Sequence, residues 1–324
     1  MDIRQVRHFL GEDWKKVEAL FEETLHSDVH LLGRTNGYIR SNQGKMLRPV
    51  LSLLVSRACG TPGGDSVKAA VAAELLHNAT LLHDDVLDDS TRRRGAPTVM
   101  SMLGAKASVL VGDFWLVKAM KTILACENHT KELSDIFAKT VLDLVEGEML
   151  QMEKAGSGDT SEEDYLRIIY YKTASLFEAV CSSAALSVEA PQEAREAVTL
   201  YGKLLGMAFQ IKDDILDYDG DALGKPVGAD LREQKITLPL LGALRQMDAD
   251  REKEVRQMVA GIGEHPSNCA RVAEMVRTLK GTNYAAERLE EYVKEAKESL
   301  RALPASEEKK MLLGIADYCA YRTI

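Results

Sequence analysis

Apolar residues recur at three- and four-residue spacing along nearly the whole chain, the period that lines up one face of an α-helix. Between Val67 and Asp88, for example, Val71, Leu75, Ala79 and Leu82 share a face. No stretch alternates apolar and polar residues well enough to predict a strand. The stretches Thr61–Gly64, Arg94–Pro97, Gly156–Asp159 and Asp219–Gly228 read as loops. Most of the eight prolines fall in loops or at helix starts, where a missing N–H costs little. No linker or low-complexity tract divides the 324 residues. The pattern predicts an all-α protein, a single large helical bundle spanning 1–324 with about a dozen helices.

Composition narrows the function classes. A formal net charge of -9 argues against nucleic-acid binding, which needs a basic footprint. Cys59, Cys126, Cys181, Cys269 and Cys319 are scattered without a C-x-x-C pair, as expected of reduced thiols in a cytoplasmic protein. Met1 to Leu20 is charged and lacks the apolar core of a secretion signal. No apolar run approaches the roughly 20 residues of a membrane span. The expectation is a soluble cytoplasmic protein without a transmembrane anchor, peripheral to membrane at most.

One element occurs twice. Leu82-His83-Asp84-Asp85-Val86-Leu87-Asp88 and Ile211-Lys212-Asp213-Asp214-Ile215-Leu216-Asp217 share the form apolar-x-Asp-Asp-apolar-apolar-Asp. On a helix, Asp84 and Asp88 project together, as do Asp213 and Asp217, and like charges at that spacing destabilise the helix. A cation would compensate. Magnesium suits such sites because it takes one or two carboxylates together with phosphate oxygens and water. The bland alternative is an acidic, solvated helix end, which fits one cluster better than two. A calcium loop beginning at Asp217 fails at Ala222, where glycine is required, and at Gly228, where glutamate is required.

Cations stand where a diphosphate needs them. Gly44-Lys45-Met46-Leu47-Arg48-Pro49 puts two at a helix start, where backbone N–H groups also favour anions. Arg92-Arg93-Arg94-Gly95 follows the first cluster, and Lys172-Thr173, Lys225 and Lys235 supply more. Each alone is equally a solvated surface residue. His77 lies two helical turns before Asp84, either a satisfied histidine or a donor to an anion.

Taken in order, these motifs resemble those of the trans-isoprenyl diphosphate synthases, or polyprenyl synthetases, over nearly the whole chain. They are GKMLRP at 44–49, LLHDDVLDDSTRRRG at 81–95, YYKTASLF at 170–177, FQIKDDILD at 209–217 and GKPVGADLREQKITLPLL at 224–241. The resemblance implies an all-helical bundle of the isoprenoid synthase type, with the two Asp-rich helices facing a central cavity. It implies that Asp84, Asp88 and Asp213 bind three Mg2+ ions on the allylic diphosphate, with Asp85, Asp214 and Asp217 supporting them. Arg93, Lys172, Lys225, Gln210 and Lys235 would hold the allylic diphosphate. Gly44, Lys45, Arg48, His77 and Arg94 would hold isopentenyl diphosphate, and Lys172, Thr173 and Gln210 would stabilise the allylic cation. The implied primer is farnesyl or geranylgeranyl diphosphate, and the implied assembly a homodimer with apolar faces around Val99–Ile123.

Product length turns on Ala79 and Thr80, five and four residues before Asp84 and so about 6–8 Å deeper along the helix. Short-chain members commonly carry a bulky aromatic near this depth. Small residues here predict an open tunnel and a C30–C40 product, octaprenyl diphosphate first among them, suited to a quinone side chain. Phe137, Leu142 and Leu53 are candidates for the tunnel floor. The alternatives are a geranylgeranyl or farnesyl diphosphate synthase, and a non-catalytic subunit of a heteromeric synthase. A terpene cyclase would carry a different second metal motif.

Overall fold

The computed structural model describes residues 2–218 and 228–322. The described residues are almost entirely helical and form two compact units. One unit comprises the chain up to Ala138 with Ala179–Thr199 and Ala302–Leu312. It contains α1 (Ile3–Leu10), α2 (Glu12–Thr24), α3 (His30–Ser41), α4 (Leu47–Cys59) and α5 (Gly64–Leu87). A two-strand antiparallel ribbon follows, β1 (Arg92–Arg93) with β2 (Ala96–Pro97), then α6 (Val99–Leu103) and α7 (Ala105–Leu124). The second unit comprises Lys139–Glu178, Leu200–Arg301 and the chain from Leu313 onward.

The helices that supply the second unit are α8 (Thr130–Ser157), α9 (Glu162–Ile169), α10 (Ser175–Leu186) and α11 (Gln192–Tyr218). They are followed by α12 (Ala229–Arg232), α13 (Leu238–Leu244), α14 (Ala249–Ala260), α15 (Ser267–Thr278), α16 (Gly281–Ser299) and α17 (Glu307–Tyr321). Between α9 and α10 a π-helical turn covers Tyr170–Ala174.

In the first unit α5 is the central element, packed most extensively against α7 and also against α4 and α2. Val71, Leu75, Ala79 and Leu82, the face read from the sequence, are all buried. Each buried leucine contributes about 1.5–3 kcal/mol relative to exposure. The helix stops inside the aspartate motif: the Asp88 N–H caps it on the Asp84 carbonyl at 2.9 Å, and Asp89 turns left-handed at φ 48°. In the second unit α11 ends at Tyr218, one residue past its own motif.

The ribbon was not legible as strand because two residues are too short for an alternating pattern. Its signal was the turn itself. Arg94 and Gly95 both have positive φ, 51° and 80°, the backbone of a type I′ hairpin. None of the five cysteines forms a disulfide. No described helix is long and apolar enough to cross a membrane.

Candidate active site

In the first unit, the end of α5 places Asp84 and Asp88 on the last helical turn and at the cap. The carbonyl end of a helix already carries a partial negative charge, so carboxylates there are doubly unfavourable until a cation joins them. Asp85 is buried, and its carboxylate accepts from Arg93 Nε at 2.8 Å. The hairpin turn aims Arg94 the other way, flat against Gly44. A Cβ on Gly44 would lie 2.6 Å from the Arg94 guanidinium carbon, so a larger residue there would push the guanidinium aside. Lys45 is exposed, Met46 adopts the left-handed conformation at φ 46°, and Arg48 sits in the first turn of α4.

Beneath these cations lies Glu74, 4% exposed. Burial raises its pKa, while Arg48, the Asn78 amide, Arg94 and Arg7 pull it back down. His77 is pushed well below the ordinary histidine value, first by burial and then by Arg48, Arg94 and Arg93. It is therefore a neutral imidazole near pH 7, able to donate one N–H without adding charge. One turn above, Ala79 is buried and Thr80 turns its hydroxyl back to the His77 carbonyl at 2.8 Å. Phe137 and Leu53 are fully buried; Leu142 is 63% exposed, which removes it as a floor within the chain.

In the second unit, the π turn carries Lys172 and Thr173. Such insertions are often found at functional sites. Gly147 on α8 lets it approach closely: a Cβ there would lie 2.6 Å from Tyr171 Cβ. Lys172 pairs with Glu148 and Lys235 with Glu233. Thr173 Oγ1 donates to Gln210 Oε1 at 2.7 Å, Gln210 Nε2 to Asp214 Oδ1 at 2.8 Å, and the Tyr165 hydroxyl to Asp214 Oδ2 at 2.6 Å. Asp214 thus has a donor on each oxygen while 3% exposed. Burial, then the nearby Asp230, nevertheless pushes its pKa well above the carboxylate range.

Asp217 accepts from the Ala229 and Asp230 N–H groups at 3.0 and 3.1 Å, at the start of α12. Asp213 pairs with Arg322 at 2.6 Å, and that guanidinium also lies 4.0 Å from the Phe209 ring centre. A cavity of about 130 Å3 is lined by Tyr165, Lys172, Gln210, Asp214, Asp230 and Lys235, among others. Lys225 lies outside the described residues.

Residues 29–279 match the polyprenyl synthetase family. The octaprenyl diphosphate synthase of Haemophilus influenzae is 37% identical over 98% of this chain and 96% of its own. The chain belongs to the polyprenyl synthetase family. Solved relatives of the family agree in fold. A decaprenyl diphosphate synthase from Rhodobacter capsulatus superposes with TM-score 0.92 at 32% identity, covering all of both chains. A polyprenyl synthase from Caulobacter crescentus, solved with calcium and isoprenyl diphosphate, gives 0.91 at 32% identity, covering 100% of this chain and 98% of that one. The protein is accordingly a prenyltransferase with the all-α fold of these polyprenyl synthetases.

Members of this family depend on magnesium. Among the described residues, no three His, Cys, Asp or Glu side chains converge to hold a metal ion unaided. Magnesium asks for less, since phosphate oxygens and water complete its shell. An i, i+4 carboxylate pair at each of two helix ends fits that chemistry.

Sequence reasoning missed Glu74, Glu148, Tyr165, Asp230 and Arg322. Tyr165 and Arg322 lie 49 and 109 residues from their aspartate partners, and no local pattern could mark them. Glu74 did carry a signal: it precedes His77 by three residues, on the same side of α5.

Proposed function

We propose that this protein is an all-trans polyprenyl diphosphate synthase that extends an allylic diphosphate head-to-tail with isopentenyl diphosphate. The observation that carries this reading is the cavity where Lys172, Lys235, Gln210 and Asp214 meet, all residues of the family's motifs. Its primer is farnesyl or geranylgeranyl diphosphate and its product lies in the C30–C40 range, octaprenyl diphosphate first. The H. influenzae relative and the small Ala79 and Thr80 support that length. A geranylgeranyl or farnesyl diphosphate synthase is the rival, with the same chemistry and a shorter product.

Asp84, Asp88 and Asp213 would hold three Mg2+ ions, with Asp85, Asp214 and Asp217 keeping their neighbours in place. The bound metal supplies positive charge to the departing diphosphate. Lys172, Lys235 and Arg93 exchange Glu148, Glu233 and Asp85 for phosphate oxygens, and Lys225 joins them. Their charge stabilises the leaving group more as negative charge develops on it, which is what lowers a barrier. Gly44, Lys45, Arg48, neutral His77 and Arg94 hold the diphosphate of isopentenyl diphosphate. Thr173 and Gln210 offer oxygen dipoles to the allylic cation. The double bond of isopentenyl diphosphate attacks that cation, and the proton lost passes to the released diphosphate.

The single domain spanning 1–324 belongs to the same proposal, as does a cytoplasmic location with no nucleic-acid partner. So does a homodimer. Leu142, Val145, Met149 and Met152 on α8 are exposed at three- and four-residue spacing, and Leu103, Leu110, Val117 and Leu124 are exposed every seventh residue. Such uncovered stripes mark interaction faces.

The test is incubation of the purified protein alone with magnesium, farnesyl diphosphate and labelled isopentenyl diphosphate. An octaprenyl-sized product is expected. No elongation sinks the enzyme reading, and a product stopping at C20 favours the rival.

A further inference from the structure

The loop that carries Gly44 and Lys45 has a neighbour outside the segment matching the family. Arg7, on α1, donates through Nη2 to the carbonyl of Lys45. Its guanidinium lies 4.6 Å from the Trp14 ring centre and within electrostatic reach of Glu18 and the buried Glu74. Helix α1 is itself fixed. Ile3, Val6 and Leu10 are buried, and Arg57 near the end of α4 donates to the carbonyls of Phe9 and Leu10 at 3.1 and 2.6 Å. Arg57 also pairs with Asp13 at 2.6 Å. The short N-terminal helix is therefore tied to both ends of α4, at Lys45 before its start and at Arg57 near its finish.

The tie has a consequence for the backbone. The Lys45–Met46 peptide is trans, so its carbonyl and N–H point in opposite directions. Holding the carbonyl on Arg7 turns the Met46 N–H away from Arg7. Met46 is left-handed and Leu47 opens the helix, a succession that makes consecutive N–H groups converge into an anion-binding concavity. The same constraint limits where the Lys45 side chain can leave the loop.

We propose that Arg7 is a positioning residue for isopentenyl diphosphate: it sets the Lys45–Met46 peptide so that the loop and the first turn of α4 receive the diphosphate. Arg7 touches no substrate; it acts through the loop. The proposal rests on assigning Gly44, Lys45 and Arg48 to that substrate.

The test compares the parent with Arg7→Gln and Arg7→Lys. In Arg7→Gln the KM for isopentenyl diphosphate rises roughly tenfold, the loss expected of one charge-assisted hydrogen bond. The KM for the allylic primer and kcat stay within about twofold, and Arg7→Lys recovers part of the loss. Calorimetric titration of the folded proteins with isopentenyl diphosphate in magnesium-free buffer reads the same site without turnover. Equal rises in both KM values, or Arg7→Gln binding as tightly as the parent, overturns the role of Arg7 alone. A parent that binds no isopentenyl diphosphate removes the substrate assignment and the proposal with it.

Discussion

Residues in this protein acquire their properties from partners far along the chain. Asp214 is the clearest case, because its two donors come from Gln210 one turn away and from Tyr165 on another helix. A buried carboxylate that loses a donor is costly, about 1–3 kcal/mol, and here the loss also frees the Gln210 amide to turn. Tyr165→Phe is therefore expected to lower kcat about tenfold with little change in either KM, measured by steady-state elongation. His77 gives a stability prediction. Its folded pKa lies well below its unfolded value, so as pH falls through the unfolded value the unfolded state takes up a proton that the folded state refuses. Stability from this group is present at neutral pH and lost on acidification, with a ceiling of about 1.4 kcal/mol per pH unit. Urea melts of His77→Gln at about pH 7 and about pH 5.5 should show a smaller drop than the parent; an equal drop refutes the assignment.

At the scale of elements, α5 combines two tasks by direction alone. Its carbonyl end carries Asp84 and Asp88, where two carboxylates meet an unfavourable helix dipole and call for a cation. About one turn deeper lie the small Ala79 and Thr80, the face along which the growing chain is proposed to pass. Ala79→Tyr should shorten the product by at least one C5 unit, read by chromatography of the dephosphorylated prenols; an unchanged length means the chain does not pass this face. The element-level pattern was legible in part: the buried face of α5 follows from the apolar period, whereas the placing of both motifs at helix ends came from the structure. The ribbon was not, because its information lies in two residues with positive φ rather than in any alternation.

At the scale of the molecule, the described residues group into two compact units, and the apolar period by itself does not show how the helices group. Grouping depends on which faces match, a property of side-chain shape that periodicity does not encode. The exposed stripe on α8 gives a prediction at this scale. Met149→Glu combined with Leu142→Glu should convert the proposed homodimer to monomer by light scattering after gel filtration, since two buried charges without partners outweigh the apolar area gained; an unshifted mass rules this face out. The sequence by itself determined the all-α class, the two aspartate clusters and the basic motifs proposed to hold diphosphate, because each is a local pattern of charge and spacing. Only the tertiary structure decided that Asp85 answers to Arg93, Asp214 to Tyr165, Asp213 to Arg322, and the Lys45 carbonyl to Arg7. Apart from Arg93, eight residues beyond Asp85, those partners lie far along the chain, and the burial that surrounds them exists only once the helices have packed.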